Sequence, residues 1–258
     1  MPSAIAAADP GPLLADITEA AGRLILPLWK SGLAVESKAD QSPVTEADRR
    51  AEALILERLA RAFPGIPVVA EEAASLIGTP GEIGSTFFLV DPLDGTKAFI
   101  RGDANFTVNI GLIVDGQPVA GAVTAPVTEE TWFTQGGAAF KRRAGEAAAA
   151  VRARPWPEGK AIALISHTMK PEALEALAKE YGFSREQPMD SSIKLCRIAE
   201  GSADIYPRHG PTMEWDTAAG HAVLEAAGGR LTTPDGKPFA YAKAEADFRN
   251  GHFVARGA

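Results

Sequence analysis

Apolar residues recur at helical spacing in two segments near the start of the chain. The first predicts an amphipathic helix over about residues 12–30. In the second, Thr45 has the character of an N-cap, with Asp48 three positions later and an apolar periodic run that stops at Pro64-Gly65. The pattern therefore predicts two helices joined by a polar loop that runs to Pro43.

The pattern then changes to short apolar or alternating runs, which predict β-strands. Asp115-Gly116 stands between two of these runs and predicts a hairpin turn. The predicted strands are 66–70, 86–90, 106–114, 118–124, 131–134, 161–165, 203–206 and 251–255, and the later helices are 171–181, 191–200 and 216–227.

A stretch rich in Ala, Arg, Pro and Gly, residues 141–160, is the candidate boundary between two lobes. We predict an α+β lobe over residues 1–150, carrying most of the chemistry, and an α/β lobe over residues 151–258. The only dense basic cluster, Lys141-Arg142-Arg143, is expected to lie in a solvated loop.

Composition narrows the class of protein. The chain has 258 residues, of which 46% are hydrophobic and 23% charged, as in an ordinary globular enzyme. A net charge of −7 without a basic stripe argues against a nucleic-acid polymer as partner. The pattern predicts no transmembrane segment and no signal peptide. The single cysteine, Cys196, lies in an apolar pattern, is expected to be buried, and is compatible with a reducing cytoplasm.

The candidate chemistry centres on Asp91-Pro92-Leu93-Asp94-Gly95-Thr96, which follows an apolar run of strand type. Two ionised carboxylates this close repel each other unless a cation lies between them. Hard oxygen ligands without Cys or His suit Mg²⁺ or Mn²⁺. The amides of Gly95 and Thr96 could cradle a phosphate oxygen. The segment therefore predicts a metal-dependent phosphate site.

Other acids stand in similar positions. Glu71-Glu72 follows an apolar run, Asp216 opens a predicted helix, and Asp48 is near the start of another. Taken singly, Asp48 and Asp216 could be helix caps, each contributing about 1 kcal/mol, and the two glutamates could be solvated. Taken together, they resemble the donor set of a phosphatase with two or three metal ions.

Asp91 to Thr96 and Trp215-Asp216-Thr217-Ala218-Ala219-Gly220, in this order, resemble the two signature motifs of the inositol monophosphatase-like superfamily of lithium-sensitive, Mg²⁺-dependent phosphatases. The resemblance spans roughly residues 12–255. Within that superfamily the chain is most similar to the CysQ-type 3′(2′),5′-bisphosphate nucleotidases. This finer resemblance rests on Lys97 to Ile100 with Asn105 to Ile110, on Ser191-Ser192-Ile193-Lys194, and on Tyr206-Pro207-Arg208 before Gly210-Pro211-Thr212. Ala98, where relatives often carry Glu, and Met213-Glu214 depart from the pattern.

The resemblance implies the layered α-β-α-β-α sandwich of the family, with a metal cluster between the lobes. It implies two or three Mg²⁺ ions, with Mn²⁺ as a substitute, and Asp48, Thr96 and Glu71 as catalytic residues. The implied metal ligands are Glu71, Asp91, the Leu93 carbonyl, Asp94 and Asp216. The implied substrate-binding residues are Gly95, Thr96, His167, Ser191, Lys194, Arg208 and Asp216.

The implied reaction is hydrolysis of 3′-phosphoadenosine 5′-phosphate to AMP and phosphate, with Lys194 and Arg208 holding the phosphate that is not cleaved. From spacing alone, both cations could be ordinary surface charge and His167 a structural residue. Two alternatives stay open: inositol 1-phosphate or sugar bisphosphate hydrolysis by the same metal core, and a catalytically silent regulator that binds a phosphorylated ligand. We expect a cytoplasmic monomer or homodimer. Relatives of this type also associate with the inner membrane, although no amphipathic anchor in the sequence requires it.

Overall fold

The computed structural model describes residues 9–31, 35–37, 43–167 and 169–258. Its helices are α1 (Gly11–Ser31), α2 (Glu46–Ala62), α3 (Glu71–Ile77), α4 (Thr96–Arg101), α5 (Pro171–Tyr181), α6 (Ile193–Ala199) and α7 (Glu214–Ala226), with a 3₁₀ turn at Ala244–Ala246. The strands before residue 152 are β1 (Val35–Ser37), β2 (Pro43–Thr45), β3 (Val68–Ala70), β4 (Thr86–Asp94), β5 (Thr107–Val114), β6 (Gln117–Ala125), β7 (Glu130–Gln135), β8 (Ala138–Arg143) and β9 (Ala149–Val151). The later strands are β10 (Ile162–Ile165), β11 (Arg185–Pro188), β12 (Ile205–Arg208), β13 (Thr212–Met213), β14 (Arg230–Thr232), β15 (Arg249–Asn250) and β16 (Phe253–Arg256).

The larger sheet contains seven strands in the order β3-β4-β5-β6-β7-β8-β9. Only the β3–β4 pair is parallel. Side chains alternate across a strand, so Phe88 and Val90 of β4 pack with α1 and α2 on one face, while Phe87 and Leu89 pack with α6 and α7 on the other. Because helices cover both faces, the central strands are almost wholly apolar.

The smaller sheet has the strand order β11-β10-β12-β16-β14. Its inner face, with Leu164, Tyr206 and Phe253, packs on α6 and α7. Its outer face packs on Leu177 and Tyr181 of α5. The layers therefore run helices, sheet, helices, sheet, helix, which confirms the predicted α-β-α-β-α sandwich.

Helix α7 lies directly on the larger sheet because two strand glycines leave room for it. A Cβ atom at Gly111 would lie 2.8 Å from the Ala218 Cβ, and one at Gly121 would lie 2.5 Å from the Ala219 carbonyl oxygen. Real Cβ contacts are not this short, so these glycines set the distance between the sheet and the helix that carries Asp216.

The Thr45 capping box and the Asp115-Gly116 turn are confirmed. Thr45 and Asp48 cap α2 reciprocally, and both turn residues have positive φ between the antiparallel strands β5 and β6. Part of the polar loop predicted before Pro43 lies outside the described residues.

The prediction of a solvated loop at Lys141 to Arg143 is wrong. These residues belong to β8, where Lys141 Nζ lies 2.6 Å from Glu130 Oε1 and 2.8 Å from Glu200 Oε2. The sequence also gave no sign of α3, β9 or β11, whose short segments lack a clear apolar period. The lobe boundary at residue 150 stays a prediction.

Within the described part of the chain, no helix combines the length and the apolar character that crossing a bilayer requires.

Candidate active site

The site is a cavity of about 780 Å³ between the two sheets. All of the predicted site residues except Asp48 line it. These are Glu71, Asp91, Leu93, Asp94, Gly95, Thr96, His167, Ser191, Lys194, Arg208 and Asp216. The fold therefore gathers residues that lie up to 145 positions apart in sequence, from Glu71 to Asp216.

A β-bulge brings Asp91 and Asp94 to the same face of β4. Asp91 pairs with Asn109 and Asp94 with Thr107, so three steps along β4 oppose two along β5. In a regular strand, residues three apart would point to opposite faces. With the extra residue, both carboxylates lie on the same face of β4 as Phe87 and Leu89, the face that packs against α7, and both line the cavity.

Glu71 and Glu72 begin α3, and their environments differ. The carboxylate of Glu52 in α2 accepts hydrogen bonds from the Glu72 and Ala73 amides, both at 2.8 Å, and so caps the start of α3. Glu71 lines the cavity, whereas Glu72 is buried and is not among the lining residues. The solvated interpretation is therefore wrong for Glu72, whereas Glu71 is half-buried at the cavity.

Asp216 lies in the first turn of α7, which begins two residues earlier than predicted, at Glu214. Its Oδ2 accepts a hydrogen bond from the Met213 amide at 2.9 Å. Asp216 is therefore not the N-cap residue, and it faces the cavity with the other acids.

The four acids Glu71, Asp91, Asp94 and Asp216 act on one another electrostatically. Burial, followed by the charges of Glu71, Asp94 and Asp216, raises the pKa of Asp91 well above its usual range. Burial and the charge of Asp94 likewise raise the pKa of Asp216, against the opposing hydrogen bond from Met213. These four acids form an acid wall, in which Asp91 is buried and the other three are half-buried. Mutually repelling carboxylates of this kind are stabilised by a shared proton or by a cation.

The donor chemistry of this wall, carboxylates and a main-chain carbonyl without Cys or His, fits a hard divalent cation. Among the described residues, no three Asp, Glu, His or Cys side chains are arranged to hold a metal ion as they stand. Hydrogen bonds occupy part of the set, since Asp91 Oδ1 accepts from the Leu93 amide at 3.0 Å. The fit therefore lies in the chemistry of the donors and not in a finished coordination geometry.

Thr96 and Asp48 are brought within reach of each other, as predicted. The Thr96 hydroxyl lies 3.4 Å from Asp48 Oδ1 and 3.1 Å from the Leu93 carbonyl oxygen. The other oxygen of Asp48 accepts hydrogen bonds from the Thr45 amide and hydroxyl at 2.8 and 2.6 Å. Asp48 is thus both a cap of α2 and a buried neighbour of the cavity.

Ser192 is the site residue that sequence reasoning missed, because its neighbour Ser191 was selected instead. The Ser192 amide and hydroxyl both contact Asp94 Oδ2, at 2.5 and 2.6 Å. The hydroxyl also lies 2.6 Å from the Asp216 carbonyl oxygen, and it accepts from Asn109 Nδ2 at 3.0 Å. Ser192 therefore joins β4, β5 and α7 behind the acid wall. Its position immediately before α6 was the available signal.

Lys194 adds a buried positive charge to the cavity lining, within electrostatic reach of Asp94 and Asp216. The residue is only 4% exposed, and its ammonium group donates to the carbonyls of Met189 and Ser191 at 3.2 and 2.7 Å. It also lies 4.8 Å from the centre of the Tyr206 ring. Burial lowers the pKa of Lys194 to about 8. Ordinary surface charge is therefore the wrong interpretation of this lysine.

Arg208, at the end of β12, also lines the cavity. One terminal nitrogen donates to the Pro211 carbonyl at 3.0 Å, while Nε is buried without a hydrogen-bond partner among the described residues. His167 also lines the cavity, with Nε2 4.0 Å from Asp190 Oδ2 and a side chain that is 45% exposed. An acid wall and two buried or half-buried cations thus share one cavity.

Comparison with known proteins identifies the family. The sequence model described as the inositol monophosphatase family matches residues 13–255. The chain is 41% identical over 227 residues to a protein of Shigella flexneri named 3′(2′),5′-bisphosphate nucleotidase CysQ, covering 86% of this chain and 88% of that protein. A protein of the same name from Buchnera aphidicola is 34% identical, covering 94% and 91%. The chain belongs to the inositol monophosphatase family.

Solved structures agree with this assignment. CysQ of Bacteroides thetaiotaomicron, described as a bacterial member of the inositol monophosphatase family, has a TM-score of 0.75 and 34% identity, covering 95% of each chain. The extragenic suppressor protein suhB from Bartonella henselae has a TM-score of 0.74 and 26% identity, covering 95% of this chain and 92% of that chain. The fold predicted from the sequence motifs is therefore confirmed.

Proposed function

We propose that this chain is a metal-dependent 3′(2′),5′-bisphosphate nucleotidase that hydrolyses 3′-phosphoadenosine 5′-phosphate to AMP and phosphate. The observation that carries the proposal is that four acids and two cations, Lys194 and Arg208, line one cavity. A substrate with two phosphates offers one to the acids, through bound metal ions, and one to the cations. The names of the CysQ relatives support the same substrate class.

In this proposal the cavity acids bind Mg²⁺, for which Mn²⁺ substitutes. The residues that would hold the ions are Glu71, Asp91, the Leu93 carbonyl, Asp94 and Asp216. When bound, such ions lower the pKa of a bound water and offset the negative charge of the phosphoryl group.

Thr96 and Asp48 orient the attacking water and take its proton. The Thr96 hydroxyl lies between the cavity and the Asp48 carboxylate, so a proton accepted at Thr96 passes to Asp48 Oδ1 as the hydroxyl proton moves on. The bond from water to phosphorus forms as the bond from phosphorus to the ribose oxygen breaks, and the ribose oxygen takes a proton from solvent. No covalent enzyme intermediate is needed.

Gly95 and Thr96 hold the phosphate that is cleaved through their main-chain amides. Gly95 has a φ of +94°, and a Cβ atom there would lie 2.9 Å from the Asn105 carbonyl oxygen. The left-handed conformation and the close backbone both require glycine at this position.

Lys194, Arg208 and the Ser191 hydroxyl hold the second phosphate. The free Nε of Arg208 and the compact ammonium of Lys194 provide donors without a competing carboxylate hydrogen bond of their own. In this proposal His167, which also lines the cavity, contacts the nucleoside.

The test is phosphate release, with Mg²⁺, from 3′-phosphoadenosine 5′-phosphate, inositol 1-phosphate and fructose 1,6-bisphosphate. We expect kcat/KM to favour the nucleotide by about 100-fold, equivalent to about 2.7 kcal/mol of transition-state discrimination. A preference for the inositol or sugar phosphate would show that one of these alternatives is the substrate. It would also refute the proposed roles of Lys194 and Arg208 in holding a second nucleotide phosphate. No release from any of the three by folded, metal-loaded protein would identify a silent binder.

Three finer properties stay predictions of the family resemblance. Lithium should inhibit phosphate release in the millimolar range or below, which a titration at fixed Mg²⁺ checks. The protein should fractionate with the cytoplasm, with peripheral membrane association as the alternative. Light scattering of the purified chain should show a monomer or a homodimer.

A further inference from the structure

A chain of polar contacts begins at the side of α7 away from the cavity, with an ion pair followed by hydrogen bonds. His221 is 1% exposed, and its Nε2, which makes no hydrogen bond among the described residues, lies 3.1 Å from Glu225 Oε1, an ion-pair contact one helical turn later. The Glu225 side chain is 46% exposed. On the other side of the ring, Nδ1 lies 3.0 Å from the Tyr241 hydroxyl. A solvent-facing carboxylate is thus linked through an imidazole to a buried phenol.

The chain continues from Tyr241 to the cavity wall. The Tyr241 hydroxyl donates to Thr217 Oγ1 at 3.3 Å, and Asn250 Nδ2 donates to the same oxygen at 3.1 Å. The Thr217 hydroxyl donates in turn to the Glu214 carbonyl at 3.2 Å. Its one proton and both lone pairs are then used. Thr217 lines the cavity, but its hydroxyl is fully engaged and is not free for a substrate.

The last links reach Asp216. Asn250 Nδ2 also lies 2.7 Å from the Met213 carbonyl oxygen, while the Met213 amide donates to Asp216 Oδ2 at 2.9 Å. Met213 therefore carries both contacts: its carbonyl accepts from Asn250, and its amide, in the preceding peptide unit, orients the Asp216 carboxylate. Asn250 is held against Met213 by Thr217, by the Thr212 hydroxyl at 3.2 Å and by the pairing of β13 with β15, so Thr217 is one of three contacts that place it.

The segment that carries Tyr241 is held in place independently by Glu214. This fully buried carboxylate accepts hydrogen bonds from the Ala242 and Lys243 amides at 3.0 and 2.9 Å and pairs with Lys243 Nζ at 2.8 Å. Ala242 has a φ of +72°, a conformation that L-residues rarely adopt. Strained backbone of this kind persists where surrounding contacts fix it, which shows that the position of Tyr241 is closely specified.

We propose that Glu225, His221 and Tyr241 are positioning residues that set the orientation of Asp216 for metal binding. This inference rests on the proposed function through the metal role of Asp216. None of the three residues lines the cavity that contains the predicted ligands. Groups behind a metal ligand that fix its orientation contribute strongly to affinity, and their loss weakens metal binding by about 10- to 100-fold when they touch the ligand directly. Tyr241 acts through intermediates, so its effect should be smaller.

The test is Mn²⁺ binding to the full chain, followed by the electron paramagnetic resonance signal of free Mn²⁺. We expect Tyr241→Phe to raise the Mn²⁺ dissociation constant about 5-fold or more, and kcat to fall while KM for the bisphosphate nucleotide stays unchanged. Tyr181→Phe is the matched control, because Tyr181 is also buried but packs on the outer face of the smaller sheet. It should bind Mn²⁺ like the wild type.

Two further variants separate positioning from general stability. Glu225→Ala changes a half-exposed side chain that does not line the cavity, and we expect it to weaken Mn²⁺ binding about 2- to 3-fold. If Tyr241→Phe does not fold, Glu225→Ala provides the test of the proposal in its place. Thr217→Val should not add to the effect of Tyr241→Phe, because both break the same chain. Unchanged Mn²⁺ binding in folded Tyr241→Phe or Glu225→Ala protein would overturn the proposal, even if the melting temperature fell. Mn²⁺ binding uses no nucleotide, so the proposed substrate can fail while the positioning role stands.

Discussion

Replacing the buried lysine of the cavity by an apolar side chain of similar length should stabilise the protein while damaging substrate binding. The perturbation is Lys194→Met. Burial lowers the pKa of Lys194 from 10.5 to about 8, and each unit corresponds to about 1.4 kcal/mol, so the charged form costs the folded state about 3 kcal/mol at pH 7. Losing the hydrogen bonds to the Met189 and Ser191 carbonyls offsets part of this gain, at about 1 kcal/mol each. We therefore expect a net increase in the free energy of unfolding of about 1 kcal/mol.

The pH dependence has a definite sign. Between pH 8 and 10.5 the unfolded chain binds more protons at Lys194 than the folded chain does, so the contribution of this group to stability rises with pH. The destabilisation is complete below pH 8 and is lost toward pH 10.5. The advantage of Lys194→Met over the wild type should therefore be largest at pH 7 and should shrink as the pH rises.

Urea denaturation of both proteins at a series of pH values measures this difference, with Lys179→Met at an exposed position of α5 as the control for loss of one positive charge. In the same preparations, KM for 3′-phosphoadenosine 5′-phosphate should rise at least about 10-fold in Lys194→Met, because the distal phosphate loses a charged partner. A variant that is less stable than the wild type at pH 7 and keeps its KM would refute the reasoning. Lys194 would then be a structural residue that bridges two carbonyls.

Three further changes test other parts of the site and fold. Asp94→Asn should leave the fold intact but lower kcat by about 10²–10³ at saturating Mg²⁺, and near-normal turnover would contradict its assignment as a metal ligand. Ser192→Ala removes the hydroxyl contacts to Asp94 and to the Asp216 carbonyl. Steady-state kinetics should show kcat reduced about 10-fold or more relative to the wild type, with the circular dichroism spectrum unchanged. Gly121→Ala would place a Cβ atom 2.5 Å from the Ala219 carbonyl oxygen and should lower the free energy of unfolding by about 2 kcal/mol or more. Gly251→Ala, whose Cβ atom would have nothing within 4 Å, is the control and should be near neutral. Equal melting temperatures of the two variants would refute the packing argument.

Much of the site could be predicted because many of its functional groups lie close together in short sequence motifs. The segment from Asp91 to Thr96 places two carboxylates, a carbonyl, a hydroxyl and a permissive glycine within six positions. The capping signal at Thr45 predicted the start of α2 and placed Asp48 in its first turn. These signals depend on local geometry, which neighbouring residues determine.

Ser192 and the chain of polar contacts through His221 could not be predicted in this way. Ser192 contacts Asp94, 98 positions away, and Tyr241 meets Thr217 across 24 positions. Nothing in either local sequence distinguishes these residues from an ordinary cap or a core aromatic. The basic cluster beginning at Lys141 shows the same limit, because its carboxylate partners, Glu130 and Glu200, come from different elements.

The amino-acid sequence by itself determined the apolar periods, the turns and the kinds of ligand available, because backbone preferences and side-chain chemistry act over a few residues. The tertiary structure decided which of these groups meet. The bulge in β4 turned Asp91 and Asp94 to one face, and the strand glycines let α7 bring Asp216 beside them. Burial then raised the pKa of Asp91 and lowered that of Lys194, since the environment of a charge depends on the whole fold around it.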